Sequence, residues 1–260
     1  MKKSFTLDEY RFILDEILKK EFAFPYFGHE PDNRPFVILR HDVDFSLSAA
    51  VKLARIEKEF QIKGTYLIQL GSAFYNPLIP RNLEWLNEIK EYDHEIGLHH
   101  DATIYPVRET VEEICTNLNR EKTLLETVLS ISIRIISFHN PLENVRNLDL
   151  SKFGLVNTYA PKYYNSEICY VADSDMNWRD GYILDRINER DKIQWLVHPA
   201  HWDGKEPGIF FDRILNATNA QSSTALDYMS HRNRFWKQHL DEWTAKENIK
   251  QRIANIELRF

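Results

Sequence analysis

Two aspartates with the spacing of a catalytic pair follow an apolar run near the start of the chain. The run covers 36–39, and Asp42 and Asp44 come shortly after it. Because residues two apart on an extended strand point to the same face, both carboxylates are predicted to face one pocket, with Val43 turned away into the wall. One carboxylate of such a pair can bind a metal ion while the other takes a proton from water. Arg40 would keep Asp42 charged, since a nearby cation favours a carboxylate.

Histidines recur at the ends of later apolar runs. The residues concerned are His99, His139, His198 and His201, and Asp101 follows the first of them. Taken singly, each histidine has a structural explanation as a hydrogen-bonded side chain, and Asp44, which comes just before Ser46, has one as the cap of the next helix. Together they form a set of carboxylate and imidazole groups, the ligand set of a catalytic zinc or similar divalent ion with one position open for water. The combination predicts a metal-dependent hydrolase.

Alternating strands and helices are predicted to carry these residues. The predicted strands cover 36–39, 65–70, 94–99, 133–138, 155–159, 168–172 and 193–197. The first predicted helix starts at Thr6, and three others cover 46–60, 81–92 and 107–129. The pattern turns helical again after Pro207. This order indicates an α/β protein built of βα repeats, and the number of strands fits one barrel better than two domains. In such barrels the loops at the carboxyl ends of the strands converge, so the polar residues would meet in one pocket.

The composition narrows the function classes. The chain has 260 residues, of which 43% are hydrophobic, enough for a full core. Its net charge is −6 and no dense basic stripe stands out, which argues against a nucleic-acid partner. The N-terminus lacks the apolar core of a signal peptide, and no apolar run reaches the length of a membrane span. A cytoplasmic location without a membrane span is therefore expected.

Two segments resemble motifs of the NodB-like polysaccharide deacetylase superfamily. The segment 39–44 resembles the first motif of that family, which carries a catalytic-base aspartate and a metal-binding aspartate. The segment 93–99 resembles the glycine-containing strand that delivers the first metal histidine. The resemblance implies that Asp42 is the base and that Asp44 and His99 bind the metal.

The resemblance extends over about 36–202 and also concerns the fold. It implies a distorted (β/α) barrel of about seven parallel strands, preceded by an N-terminal helix. A helical C-terminal extension would cover about 207–260, and the whole chain, 1–260, is expected to be a single domain. Packing anchors are predicted in this extension at Phe235, Trp236, Leu240 and Trp243.

Weaker matches imply further roles. His139 stands where the family has a motif that lines the site and contacts the base, and His198 ends a segment that resembles the motif of the general acid. Asp175 and Trp178 lie in a segment that resembles the Asp/Trp motif on one wall of the substrate groove. Trp178 and Trp202 would stack on a sugar ring, or else pack in the core.

The chain departs from the family at the second metal histidine. That position, four residues after the first, is Thr103. Asp101 is the candidate for the third ligand that is nearest in sequence, and His139 or His201 are the alternatives from neighbouring strands. His100 is expected to point away, because adjacent strand residues face opposite sides. The expected ion is zinc.

These observations predict an enzyme that removes an N-acetyl group from an amino sugar or a glycan precursor. Two alternatives stay open: hydrolysis of a small amide or cyclic imide with the same apparatus, and a non-catalytic carbohydrate-binding barrel. The C-terminal helices are expected to cover the barrel, to form a lid or to mediate a homodimer.

Overall fold

The computed structural model describes residues 4–105, 110–141, 143–164, 167–178, 180–204 and 206–232. The strands are β1 (Phe36–Val43), β2 (Thr65–Ile68), β3 (Glu95–His100), β4 (Ile135–Phe138), β5 (Val156–Asn157), β6 (Cys169–Ala172) and β7 (Lys192–Val197). The helices are α1 (Leu7–Lys19), α2 (Leu47–Glu59), α3 (Pro80–Glu91), α4 (Val111–Leu129), α5 (Glu143–Arg146), α6 (Ile183–Arg186), α7 (Pro199–Trp202) and α8 (Phe210–Arg232). The predicted alternation of strands and helices is confirmed.

All neighbouring strands in the seven-stranded sheet are parallel, in the order β5-β4-β3-β2-β1-β7-β6. β1 lies between β2 and β7, so the first and last strands of the chain are neighbours. β5 and β6 are the two outer strands of this order. The curled sheet and its helices form a distorted (β/α) barrel, as the sequence predicted.

The two faces of β1 are both covered, which explains why the strand reads as a continuous apolar run. Leu39 packs in a cluster with residues of α1 and α2, on the helix side of the strand. Ile38 packs with Leu67 of the neighbouring strand, in a smaller cluster on the interior side. Arg40 and Asp42 share the parity of Ile38, so the alternation places them inside the barrel.

The start of α2 removes one structural explanation for Asp44. The helix begins at Leu47, and the hydroxyl of Ser46 accepts a hydrogen bond from the backbone N–H of Ala49 at 3.1 Å. Ser46 is therefore the N-cap, and the carboxylate of Asp44 is not needed for that purpose.

Several predicted elements differ in length from the observed ones: β1 ends four residues after its predicted end, β2 ends two residues before its predicted end, and β4 begins two residues after its predicted start. The predicted strand over 155–159 is reduced to the two residues of β5, because turns follow it directly: the backbone N–H of Ala160 donates to the carbonyl of Asn157. The helix predicted over 107–129 begins at Val111, since Thr110 caps it. Residues 107–109 lie outside the described residues.

The chain divides into two compact units, 1–217 and 218–260. The second is described only over 218–232, which is helical. The predicted packing anchors at 235, 236, 240 and 243 lie outside the described residues. The single domain over 1–260 and the homodimer through the C-terminal helices therefore stay predictions. Within the described residues, no helix has the length and apolar character of a membrane span.

Candidate active site

Asp44, His99 and His139 come together at the carboxyl ends of β1, β3 and β4. Their potential ligand atoms all lie within 4.8 Å of one another. Nε2 of His99 is 3.0 Å from Oδ1 of Asp44, and Nδ1 of His139 is 3.6 Å from the same oxygen. Asp44 and His99 are buried, and His139 is half-buried at the rim. Strand ends that are distant in sequence thus supply one carboxylate and two imidazoles to a single point.

The pairing of β3 with β4 holds both imidazoles. His99 and Ser137 are register partners, and the Ser137 hydroxyl contacts Nδ1 of His99 at 2.5 Å. The backbone N–H of His139 donates to the carbonyl of His100 at 2.7 Å, which continues the ladder beyond the end of β4. Because Nδ1 of His99 is engaged, the other ring nitrogen is the one directed at Asp44.

Gly97 makes this approach of the strands possible. A Cβ atom at this position would lie 2.4 Å from Cδ2 of Leu67 and 2.5 Å from the carbonyl oxygen of Ile135. Any side chain would therefore push β3 away from its neighbours. The glycine of the segment 93–99 has a packing reason, two residues before His99 on the same face of the strand.

The group fits a divalent metal ion. Oδ1 of Asp44 is buried and has no hydrogen-bond donor among the described residues, although two imidazole nitrogens lie close to it. A buried carboxylate oxygen without a donor is costly, and a cation would satisfy it. Burial alone would raise the pKa of Asp44, but His139 and His99 hold it well below its usual value. One carboxylate with two imidazoles is a donor set suited to zinc.

Asp42 forms a buried ion pair with Arg40. Nε of Arg40 donates to Oδ1 of Asp42 at 2.8 Å, and Nη2 donates to Oδ2 at 2.7 Å. Arg40 is 0% exposed and Asp42 is 2% exposed, so water does not screen the pair. Burial would raise the pKa of Asp42, but the Arg40 guanidinium, followed by His99, lowers it below its usual value. Oδ2 of Asp42 lies 3.7 Å from Nε2 of His99, so the carboxylate adjoins the metal group.

A second histidine–carboxylate pair approaches Asp44 from the side of β7. Nδ1 of His198 lies 2.6 Å from Oδ1 of Asp173, and Nε2 of the same ring lies 3.7 Å from Oδ2 of Asp44. Burial would lower the pKa of His198, but the Asp173 carboxylate outweighs it and raises the pKa to about 9. His198 is therefore an imidazolium at neutral pH, with its free nitrogen on the metal group.

Besides Nδ1 of His198, three groups contact Asp173, and together they fix the orientation of the pair of His198 and Asp173. Its two carboxylate oxygens accept from the backbone N–H of His198 at 3.0 Å, and Oδ2 accepts from Nε1 of Trp202 at 2.7 Å. Nδ1 of His201 lies 3.5 Å from Oδ2. Burial would raise the pKa of Asp173, but the charge of His198 and then that of His201 lower it.

Asp101, the predicted metal ligand nearest in sequence, lies outside the group of Asp44. Its Oδ1 accepts hydrogen bonds from the backbone N–H and the hydroxyl of Thr103, at 2.9 and 2.7 Å. Its Oδ2 accepts from Nε2 of Gln69 at 2.8 Å. Asp101 thus caps the short 3₁₀ turn that follows β3, and His139 occupies the place beside Asp44. His100 points away as predicted, toward Glu121 on α4.

Of the two roles left open for Trp178 and Trp202, a sugar platform or core packing, the structure has both rings packed in the core. Trp178 is 7% exposed and Trp202 is 0% exposed. Both rings contact Phe5, with centroid separations of 5.7 and 5.0 Å. His201, an alternative third ligand, is also buried and belongs to the group around Asp173. Asp175 is exposed in a left-handed backbone conformation on the turn after β6.

Two residues that contact the site, Asp173 and Gln194, were not singled out by the sequence analysis. Asp173 directly follows β6. It is therefore a polar residue at the end of a strand, which is the feature by which the other candidates were selected. Gln194 interrupts the apolar residues of β7 and is 0% exposed. A glutamine within an apolar strand indicates a buried amide that must be hydrogen-bonded. It could therefore have been selected as a candidate in the same way as a carboxylate at a strand end.

No protein-family model matches the sequence, and no curated protein is significantly similar to it. Among solved structures, the chitin deacetylase of the fungal pathogen Colletotrichum lindemuthianum is similar, with a TM-score of 0.47, 12% identity and coverage of 73% of this chain and 84% of that one. Peptidoglycan deacetylase PdaC from Bacillus subtilis gives a TM-score of 0.45 and 14% identity, covering 81% of this chain and 98% of that one.

A CE4 family pseudoenzyme from Bacillus anthracis is similar at a TM-score of 0.46 and 16% identity, over 74% of this chain. The chain spans 62% of the length of that pseudoenzyme. The solved structures to which the chain is similar thus include a chitin deacetylase, a peptidoglycan deacetylase and a CE4 family pseudoenzyme, at identities of 12 to 16%.

Proposed function

We propose that this protein is a metal-dependent hydrolase that removes an N-acetyl group from an amino sugar or a glycan precursor. One observation carries the proposal. The carboxylate of Asp44 lies between the imidazoles of His99 and His139 on one side and the imidazolium of His198 on the other. The ionised carboxylate of Asp42 lies beside the same group. A candidate metal site, a base and an acid thus meet in one place.

Asp44, His99 and His139 would hold the ion, with zinc as the expected metal. When bound, zinc supplies Lewis acidity toward a carbonyl oxygen and lowers the pKa of water to about 7. Asp101 does not belong to the ligand set in this proposal, since it lies outside the group of residues whose ligand atoms come within 4.8 Å of one another.

Asp42 would act as the general base. Arg40 keeps the carboxylate ionised and fixes its orientation by two parallel hydrogen bonds. Each carboxylate oxygen retains a further lone pair, so the ion pair with Arg40 leaves Asp42 able to take a proton from water beside the metal group.

His198 would act as the general acid. Asp173 keeps the ring protonated, and its bond to Nδ1 leaves the proton on Nε2 as the one available to a leaving amine. Nε2 is the nitrogen that lies 3.7 Å from Oδ2 of Asp44, so the proton is delivered next to the metal group. The base and the acid are then separate residues with opposite charges, so that one can take a proton from water while the other gives a proton to the leaving amine.

The sugar part of the substrate rests on the resemblance of the motifs. A second candidate, hydrolysis of a small amide or a cyclic imide, is favoured by the burial of Trp178 and Trp202, because neither ring is available to stack on a sugar. Both candidates share the same acid, base and metal. Assays with N-acetylated amino sugars and nucleotide sugars beside small amides and cyclic imides separate them by which substrate is turned over.

Paired substitutions test the hydrolase proposal. Asp42→Asn is expected to abolish all but a residual turnover, with zinc content near that of the wild type, since the base is lost and the ligands remain. Asp44→Ala is expected to lose both. Zinc is measured on purified protein by mass spectrometry, and turnover by release of acetate. Full activity of Asp44→Ala would refute the metal assignment, and a protein that binds no divalent ion would support a non-catalytic barrel.

A further inference from the structure

Gln194 is a buried amide on the interior side of β7, and each of its polar atoms has a defined partner. Nε2 donates to the backbone carbonyl of Tyr163 at 2.7 Å and to that of Thr158 at 3.2 Å. Oε1 accepts from Nη1 of Arg40 at 3.3 Å. The side chain thus links β7 to the segment that follows β5 and to the arginine of β1.

The two carbonyls fix which way the amide points. If the amide were rotated by half a turn, Oε1 would face two carbonyl oxygens and the NH₂ group would face a guanidinium, so that acceptor would meet acceptor and donor would meet donor. In a fully buried position no water relieves either conflict. The main chain at 158 and 163 therefore determines that an oxygen is presented to Arg40.

Arg40 is constrained on three sides. Its Nε and Nη2 are engaged by Asp42, its guanidinium lies over the ring of Tyr159 with a distance of 4.5 Å to the centroid, and Nη1 meets Gln194. A bidentate pair by itself defines the plane shared by guanidinium and carboxylate, but not the position of that plane in the barrel. The contact with Gln194 fixes the position of Nη1, the guanidinium nitrogen that does not contact Asp42.

We propose that Gln194 is a positioning residue for the reaction: it anchors Arg40 to the carbonyls of Thr158 and Tyr163 and thereby places the carboxylate of Asp42 against the metal group. This rests on the proposed function, in which Asp42 is the base. A base that is misplaced by about 1 Å loses a large part of its rate, about a hundredfold in unfavourable cases, while substrate binding elsewhere is unaffected.

The test is Gln194→Met, which keeps the length of the side chain and removes both the donor and the acceptor. We expect kcat to fall at least about tenfold, with KM within about twofold and zinc content unchanged, because only the transition state uses the base. Ile193→Val is the matched control: it shortens a buried side chain on the opposite face of the same strand, and its kcat should stay within about twofold.

Two further measurements keep the result interpretable. Gln194→Glu keeps the size and offers Arg40 a carboxylate that competes with Asp42, so kcat should fall in this variant too. In an Asp42→Asn background, Gln194→Met should cause no further loss of residual rate, since residues that act through one group are not additive. An unchanged kcat in both Gln194 variants, or an equal loss with and without Asp42, would overturn the proposal.

A crystal structure of Gln194→Met separates this proposal from the proposed function, because it does not depend on turnover. A guanidinium of Arg40 that has moved away from Asp42 would support the positioning role. A pair that keeps its place would refute it. If the wild-type protein turns over no amide, the hydrolase proposal fails, and the crystal structure still decides whether Gln194 positions Arg40.

Discussion

The histidines around Asp44 differ in the partner of their second ring nitrogen. Nδ1 of His99 meets the hydroxyl of Ser137, which brings no charge with it. Nδ1 of His198 meets the carboxylate of Asp173, which stabilises a positive ring. Metal ligation needs an unprotonated nitrogen and acid catalysis needs a protonated one, so these outer partners support the different roles proposed for His99 and His198.

Zinc affinity should distinguish the third ligand. His139→Ala is expected to weaken zinc binding by about a hundredfold or more, because one of three protein ligands is lost. Asp101→Asn is the matched comparison from the same face of the barrel, and we expect an effect within about threefold, since its oxygens serve Thr103 and Gln69. Competition with a chromophoric chelator measures both. A loss in Asp101→Asn as large as that in His139→Ala would contradict the assignment.

The decline of activity at high pH should depend on Asp173. His198 must be protonated to act as the acid, and its pKa is raised to about 9, chiefly because the Asp173 carboxylate outweighs burial. Activity that depends on this proton is therefore present below pH 9 and lost as the pH rises through it. In Asp173→Asn the charge is gone and burial lowers the pKa, so the decline of kcat/KM should begin at lower pH.

A profile of kcat/KM against pH measures this shift. Ser137→Ala is the control, because it removes a partner of His99 and leaves the contacts of His198 in place. Its decline at high pH should coincide with that of the wild type. A high-pH limb that Asp173→Asn leaves unmoved would show that His198 is not the acid.

At the scale of elements, α2 is joined to its neighbours by one buried carboxylate. Glu57 accepts from the hydroxyl of Tyr10 on α1 at 2.7 Å and from that of Tyr66 on β2 at 2.9 Å. Nε2 of His41 on β1 lies 3.0 Å from it. Glu57 and His41 are both 0% exposed, so the pair holds the helix layer to the strand that carries Asp42 and Asp44.

Loss of this charge should destabilise the fold. Glu57→Gln is expected to lower the free energy of unfolding by about 2 kcal/mol, because an NH₂ group replaces a carboxylate oxygen that accepts from a buried tyrosine hydroxyl. Glu59→Gln is the matched control on the same helix: its partner Arg11 is exposed, and we expect a loss of less than about 1 kcal/mol. Urea denaturation measures both, and equal effects would contradict the role of Glu57.

The same pair gives the stability a pH dependence. Burial would raise the pKa of Glu57, but His41 outweighs it and lowers the pKa to about 2. In the unfolded chain a glutamate titrates near 4.3. The stabilisation by Glu57 is therefore complete above the unfolded value and is lost as the pH falls through about 2, so the difference between wild type and Glu57→Gln should shrink over that range.

Periodicity predicted the elements better than it predicted these contacts. Spacing from Ala50 and Leu53 places Glu57 on the buried face of α2, yet its charge suggests the surface, and only the tertiary fold supplies Tyr10 and His41. Similarly, β1 was predicted as buried on both faces, but its extension through Arg40 to Val43 depends on pairing with β2 and β7. Local sequence carries the pattern, and distant partners decide which polar residues can be buried.

At the scale of the whole molecule, the strand order determines which strand ends meet. With β1 between β2 and β7, residues that follow β7 lie beside Asp44, although more than a hundred residues separate them in sequence. The convergence of strand ends was predictable from the barrel. The sequence left three candidates for a third ligand: Asp101 is nearest to His99 in sequence, whereas His139 is the one that the register of β3 and β4 brings beside Asp44.

The outer strands of the sheet bear on self-association. Open sheet edges expose unpaired backbone groups on which another chain can add a strand, which is a route to aggregation. β5, at one edge, has only the two residues Val156–Asn157, and β6, at the other, has four. Edges this short offer few hydrogen bonds to an incoming strand. Within the part of the chain that the structure describes, both edges of the sheet are thus poor templates for the addition of a further strand.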